Sequence, residues 1–204
     1  AEVERAGAVL AGGDVVRSES IVASATALGD LEGRAPVLRS GAKAGNVVAV
    51  AGELGCAAAG LAALSRGFRS PRVLVDAHRR PMPPYAMGPA AAIAGATAMI
   101  DVSDGLLLDA HRLADASKVT IDVDSSAIPV REEIATTAAA YNLDPLRWVL
   151  GGGDDHALLA TFPAADKLPR GFTRIGVVAK RGDLGVLVNG RAAEFDEGFE
   201  RFRS

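Results

Sequence analysis

Three observations predict an α+β fold, a mixed sheet packed with helices. Helix-like and strand-like segments are mixed along the chain rather than strictly alternating, which argues against a doubly wound parallel sheet. The 204 residues show no internal repeat and no low-complexity tail, so they suit one large domain or one domain with an appendage. The apolar content of 49% is that of an ordinary globular protein, carried by Ala, Val and Leu rather than by aromatics.

In chain order, Glu2 to Leu10 reads as the end of a helix, stopped by Gly12-Gly13. Val15-Val16 and Ile21 to Leu28 read as extended, with Gly29-Asp30 as a turn. A chain that opens in mid-helix is expected to be the end of a domain whose beginning is absent. Its strand should lack neighbours or pair with another chain. From Arg34 the character changes, and the turn-rich connector Pro36 to Gly45 leads into a buried-type strand, Asn46 to Ala51. Gly52-Glu53-Leu54-Gly55 precedes a helix from Cys56 to about Ser65, ended by Gly67. A helical stretch, Ser70 to Ala77, is cut by the proline-rich Arg79 to Pro84, and another helix starts near Tyr85. Thr97 to Ile100 is an apolar strand-like approach, and Leu106 to Ser117 a helix with Leu106, Ala110 and Leu113 at helical spacing. Val119 to Val123 reads as a strand, Ser125 to Pro129 as a loop and Glu132 to Tyr141 as a helix. Strands follow at Ala157 to Phe162, Thr173 to Ala179 and Gly185 to Val188, then an Asn189-Gly190 turn and the closing stretch Phe195 to Phe202.

The composition excludes several classes. A net charge of −3, with Lys only at 43, 118, 167 and 180, argues against a nucleic-acid-binding surface. The short basic cluster His78-Arg79-Arg80 is too small to reverse that, and His78 reads as a surface or hydrogen-bonding residue before it reads as a ligand. The single cysteine, Cys56, allows no internal disulfide and no cysteine-based zinc cage, and reads as a small buried apolar residue. The charged start shows no signal peptide. The longest apolar run, Ala86 to Ile100, contains Gly88, Pro89 and Gly95 and is shorter than a membrane span. A soluble cytoplasmic protein, with no membrane partner, is the expectation.

The chemistry concentrates in Asp101-Val102-Ser103-Asp104-Gly105, continuing to Asp109, where three carboxylates fall within nine residues. A strand ending in Asp-x-Ser-Asp-Gly at a helix start brings acceptors and backbone N–H groups to one point, as a metal–phosphate complex requires. If Asp101 and Asp104 approached to about 5 Å, their repulsion at an effective dielectric near 20 would be on the order of 3 kcal/mol, which a divalent cation would offset. The competing reading makes Ser103 or Asp104 a helix cap and leaves Asp101 solvated. The two uses are compatible. A second candidate is Gly151-Gly152-Gly153-Asp154-Asp155-His156, whose glycines let the backbone approach a ligand, or which is a flexible acidic turn. The Gly52–Gly55 turn also has the shape of an anion site. Its glycine spacing fits neither the Walker nor the dinucleotide fingerprint, so close packing of helix against sheet is the preferred reading.

Taken together the segments resemble the thiamine-monophosphate kinase family, within the superfamily named after aminoimidazole ribonucleotide synthetase. The resemblance runs nearly end to end. It rests on Gly12-Gly13-Asp14-Val15-Val16-Arg17, Arg39-Ser40-Gly41-Ala42-Lys43-x-Gly45, Gly52-x-x-Gly55 with Ala58-Ala59-Gly60-Leu61, Ile100 to Leu106 with Asp109, Gly152-Gly153-Asp154-Asp155, and Gly198 to Phe202. It implies ATP- and magnesium-dependent phosphorylation of thiamine monophosphate to thiamine diphosphate. Carried over by position, Asp101 and Asp104 match magnesium ligands, and Ser103 and Arg17 match ATP contacts. Asp154 stands where the family has a substrate-contacting Glu, and Phe199 matches an aromatic position near the substrate. The acceptor is itself an ionised phosphate, so no acid or base residue is nominated. Departures from the pattern are Asp154 for Glu, His156 for a common Tyr, Asn46 for a common Asp and Pro84 for a common Arg.

The resemblance further implies that residues 1–33 are the end of an N-terminal ATP-binding and dimer-forming domain and that residues 34–204 form the C-terminal domain. The complete protein is then expected to be a homodimer, and the 204-residue chain to be inactive without the preceding part. Two alternatives remain: another ATP-dependent enzyme of the same superfamily, and a non-catalytic module that binds thiamine phosphates.

Overall fold

The computed structural model describes residues 2–163 and 168–193. The chain divides into two compact units, residues 1–36 and 37–204.

In the first unit, helix α1 spans Glu2–Arg5 and carries an Arg5–Glu2 ion pair at 2.8 Å. The helix is shorter than expected and is followed by residues in no strand. The extended segments foreseen at 15–16 and 21–28 form no ladder among the described residues, and Val15, Ile21 and Leu28 are fully exposed. A strand persists only when its N–H and C=O groups find a partner edge.

The second unit is built on six strands: β1 Val47–Ala51, β2 Ala98–Val102, β3 Val119–Val123, β4 Ala157–Phe162, β5 Phe172–Lys180 and β6 Val186–Val188. Their order is β2-β4-β1-β5-β3-β6. All pairings are antiparallel except β3 with β6, so the sheet is mixed, as the α+β expectation requires. Among the described residues six α-helices accompany it: α2 Cys56–Ser65, α3 Arg72–Arg79, α4 Met87–Ile93, α5 Leu106–Ser117, α6 Glu132–Ala140 and α7 Leu146–Gly151. Among the described residues, no helix is long and apolar enough to cross a membrane.

Alternation along the strands decides which face each side chain joins. Val48 and Val50 of β1 enter a large core with Ile100, Val102, Leu159, Ile121 and the buried stripe of α5. Val47 and Ala49 face the other way and join Ala160, Phe162, Met99 and Ala91 of α4. Every residue of β1 is therefore buried, which explains its unbroken apolar sequence. On α5 the buried positions Leu106, Leu107, Ala110, Leu113 and Ala114 form one stripe.

Small residues set the approach of α2 to α3: a Cβ on Gly60 would collide with the carbonyl oxygen of Leu74. Helix α7 was not foreseen. Its signal was Asp144-Pro145, where Asp144 Oδ1 accepts the N–H of Leu146 at 2.9 Å and Pro145 occupies the N-cap position. The Asn189-Gly190 turn is as expected, with positive φ at both residues and Val188 bridged to Arg191.

Candidate functional site

Sheet topology brings three sequence motifs to one place. Strand β4 lies between β1 and β2 and runs antiparallel to both, with Ala51 and Asp101 each opposite Leu158. The turns leaving β1 (52–55) and β2 (103–105) and the turn entering β4 (152–156) therefore share one end of the sheet.

The last two are bonded to each other. The N–H of Asp154 donates to the Ser103 carbonyl at 2.9 Å, and that of His156 to the Val102 carbonyl at 3.1 Å. Gly153 fits against the same loop, where a Cβ would stand 2.6 Å from the Ser103 oxygen. Asp154 and His156 both hold left-handed backbone, φ 66° and 54°, a conformation uncommon for His and kept here by those two bonds.

The carboxylates of the 101–109 segment have separate fates. Asp101 is the penultimate residue of β2, its side chain 56% exposed, and the His156 Nδ1 lies 3.9 Å from its Oδ2. Asp104 is largely covered and pairs through Oδ2 with Arg112 Nη1 at 2.5 Å. Asp109 is buried. Its Oδ2 accepts the N–H groups of Ser103 and Asp104 at 2.9 and 3.0 Å, and its Oδ1 takes the same Arg112 nitrogen at 2.6 Å.

Two expectations are corrected by this geometry. The N-cap of α5 is Gly105, at φ 129°, without a side-chain cap bond, so neither Ser103 nor Asp104 caps the helix. They precede it, and Asp109 reaches back from its first turn to take their N–H groups. Those N–H groups are consequently spent on Asp109. A phosphate at Ser103 would have to meet the hydroxyl and not the backbone amide. Arg112 was missed in the sequence, although Asp109 and Arg112 stand at the i,i+3 spacing of a helical ion pair. Its guanidinium supplies a positive charge to Asp104 and Asp109, while Asp101, the other carboxylate of the expected cation pair, is not among its partners.

The start of α2 repeats the pattern. Asp155 is 7% exposed, and its Oδ2 and Oδ1 accept the N–H groups of Gly55 and Ala57 at 2.6 and 2.8 Å. The anion at this helix start is the protein's own carboxylate. Burial pushes Asp155 up to about 7, with Glu53 and Asp154 adding to the rise and the two N–H donors opposing it. The Gly52–Gly55 turn is closely packed on two sides: a Cβ on Gly52 would stand 3.1 Å from the Ala157 Cα of β4, and one on Gly55 2.9 Å from the backbone of Trp148 in α7, so the neighbour of Gly55 is a helix and not the sheet. Beside it, Glu53 accepts from Arg131 at 2.6 Å and from the Cys56 thiol at 3.0 Å. Burial and Glu53 push that thiol well up, leaving it protonated.

Among the described residues, no three His, Cys, Asp or Glu side chains gather to hold a metal by themselves. Asp101 and Asp104 are hard oxygen donors on either side of one turn. Magnesium is held by one or two carboxylates together with waters and substrate phosphates, so this donor set is compatible with it. Of the other expected site residues, Asp154 lies in the turn bonded to the Ser103 loop. Arg17 lies in the first unit, exposed, and Phe199 lies outside the described residues.

A family model described as AIR synthase related protein, C-terminal domain, matches residues 43–189. The chain belongs to this family. Within the AIR synthase related family it is similar to the thiamine-monophosphate kinase of Mycobacterium tuberculosis, 48% identical over 202 residues that cover 98% of this chain and 60% of the relative. The thiamine-monophosphate kinase of Corynebacterium glutamicum is 40% identical over 208 residues, covering 98% of this chain and 62% of the relative. Among solved structures, one described as AaThiL complexed with AMPPCP and TMP superposes with a TM-score of 0.74 at 34% identity, covering 81% of this chain and 54% of that one. The thiamine-monophosphate kinase of Stenotrophomonas maltophilia superposes with a TM-score of 0.67 at 30% identity, covering 79% and 55%. The chain thus spans about three fifths of the length of the curated relatives it matches. The resemblance drawn from the motifs agrees with these relatives.

Proposed function

We propose that these residues serve the ATP- and magnesium-dependent phosphorylation of thiamine monophosphate to thiamine diphosphate, by direct transfer to the substrate phosphate. The observation that carries this reading is the joining of the 152–156 turn to the 102–104 loop, which sets Asp154 beside the loop of Asp101, Ser103 and Asp104. Further support comes from the similarity to a protein described as complexed with AMPPCP, an ATP analogue, and TMP.

In this reading Asp101 and Asp104 would hold magnesium, which when bound would supply charge neutralisation to the phosphates. The Ser103 hydroxyl and Arg17 contact ATP, Arg17 as a guanidinium clamp on phosphate oxygens. Asp154 and Phe199 contact the thiamine monophosphate, Phe199 by stacking on its rings. Arg112 holds Asp104 in place from behind. The acceptor phosphate is ionised at neutral pH, so no side chain has to remove a proton from it. Residues 1–33 belong to the nucleotide-binding, dimer-forming part and residues 34–204 to the second domain. The protein acts as a cytoplasmic homodimer.

The test is thiamine diphosphate formation from thiamine monophosphate and ATP with magnesium, in the 204-residue chain and in a form extended at its start. Calorimetry with thiamine monophosphate runs alongside. Product from the extended form is the expected result. Binding without product in either form would favour a non-catalytic module, and neither binding nor product would overturn the reading.

A further inference from the structure

We propose that Asp155 is a positioning residue, its carboxylate fastening the 152–156 turn to the first turn of α2 and, through that turn, holding the loop of Ser103 and Asp104 in place. What is positioned rests on the function proposed above; the fastening itself does not.

The geometry is a two-sided clamp. On one side, both carboxylate oxygens are used on α2, Oδ2 by the Gly55 N–H and Oδ1 by the Ala57 N–H. On the other, the residues flanking Asp155 send their own N–H groups to the carbonyls of Ser103 and Val102. Gly153 closes the remaining space against Ser103 and the Asp104 backbone. A displacement of Asp155 is thereby passed to the loop that carries the proposed metal and nucleotide contacts.

The surroundings make this an expensive tie. Glu53 from the β1 turn and Asp154 from its own turn both oppose the Asp155 charge, the Cys56 thiol on α2 is neutral, and Arg131 is engaged with Glu53. Burial is the largest part of the cost, so ionising Asp155 runs against stability, a pattern typical of residues kept for function. Only the ionised form accepts fully at both oxygens. The clamp should therefore tighten as pH rises through neutrality.

The test follows backbone amides by NMR in the 204-residue chain from about pH 5 to 8, with the Asp155 carboxyl carbon and the His156 ring observed separately. The amides of Gly55, Ala57, Asp154 and Asp104 are expected to share the midpoint of the Asp155 carboxyl and not that of the His156 ring. Titration confined to Gly55 and Ala57 would overturn the proposal. In a form that turns over thiamine monophosphate, Asp155→Asn presents an amide N–H2 to an N–H donor. It is expected to lower kcat by about a hundredfold, on the scale of a small misplacement of reacting groups, and to remove the acid limb of the pH profile. Unchanged kcat and an unchanged profile would also overturn it. A wild-type form without any turnover would count against the kinase reading alone, and the amide titration would still decide the clamp.

Discussion

The N–H of Asp154 donates to the carbonyl oxygen of Ser103 at 2.9 Å, joining two turns that lie far apart in the chain. The bond exists because β2 and β4 are neighbours, so the end of one strand meets the start of the other. It makes the acidic turn and the Asp-x-Ser-Asp-Gly loop a single mechanical unit.

Gly153 tests that unit directly. Its backbone lies outside the left-handed region, so space alone forbids a side chain, with a Cβ placed 2.6 Å from the Ser103 oxygen. Gly153→Ala should cost about 1–3 kcal/mol, the range for inserting a methyl group into a packed site. It should also weaken nucleotide and thiamine monophosphate binding. Urea denaturation and calorimetry check the two effects.

Asp109 is the organiser of the loop, serving two backbone N–H groups and Arg112 from a buried position. Asp109→Ala strands the two backbone N–H groups, leaves Arg112 with Asp104 alone, and should destabilise the protein by about 3 kcal/mol. Asp109→Asn keeps one acceptor oxygen and should cost less. Denaturant midpoints of the two variants give the comparison.

Asp104 presents its carboxylate at the loop with Arg112 behind it. Asp104→Ala should abolish divalent-cation-dependent nucleotide binding while leaving the protein folded, since Arg112 keeps Asp109 as a partner and the lost half-buried bond costs about 2 kcal/mol. A manganese titration with and without ATP, next to a thermal melt, measures both. Unchanged cation binding would remove Asp104 from the metal site.

Asp155 makes stability depend on pH in a defined direction. Its carboxyl is raised from 3.8 to about 7 in the folded protein, chiefly by burial. Between those values the folded state holds a proton that the unfolded state has released. Stability from this group is therefore full below pH ~4, falls as pH rises to about 7, and is flat above it. The slope should be reduced in Asp155→Asn, as urea unfolding from about pH 5 to 8 would reveal.

Most element boundaries were legible because they follow from short-range chemistry. Leu106–Ser117 and Val119–Val123 coincide with their expected limits, since apolar spacing and the change at Lys118 mark them locally. The segments 15–16 and 21–28 show the converse, for β-branched residues announce a strand only where a partner edge exists. Helix α7 was overlooked because six residues carry little periodicity, although Asp144-Pro145 marked its start.

The motifs themselves were visible as residue types at set spacings, and so was the family they resemble. Which groups satisfy which donors was not. A helix start leaves N–H groups that any nearby carboxylate, ligand or water can take, and sequence patterns do not name the taker. The folded chain assigns Asp109 to the loop before α5 and Asp155 to α2, and it stations Arg112 behind Asp104. The Asp155 assignment depends on β4 lying beside β1, which brings residues separated by a long stretch of chain within hydrogen-bonding distance. Those of Asp109 and Arg112 are made locally, between the loop and α5. Local propensity sets where elements begin and end. Only the packing of β4 between β1 and β2 decides that three acidic and glycine-rich turns meet at one end of the sheet.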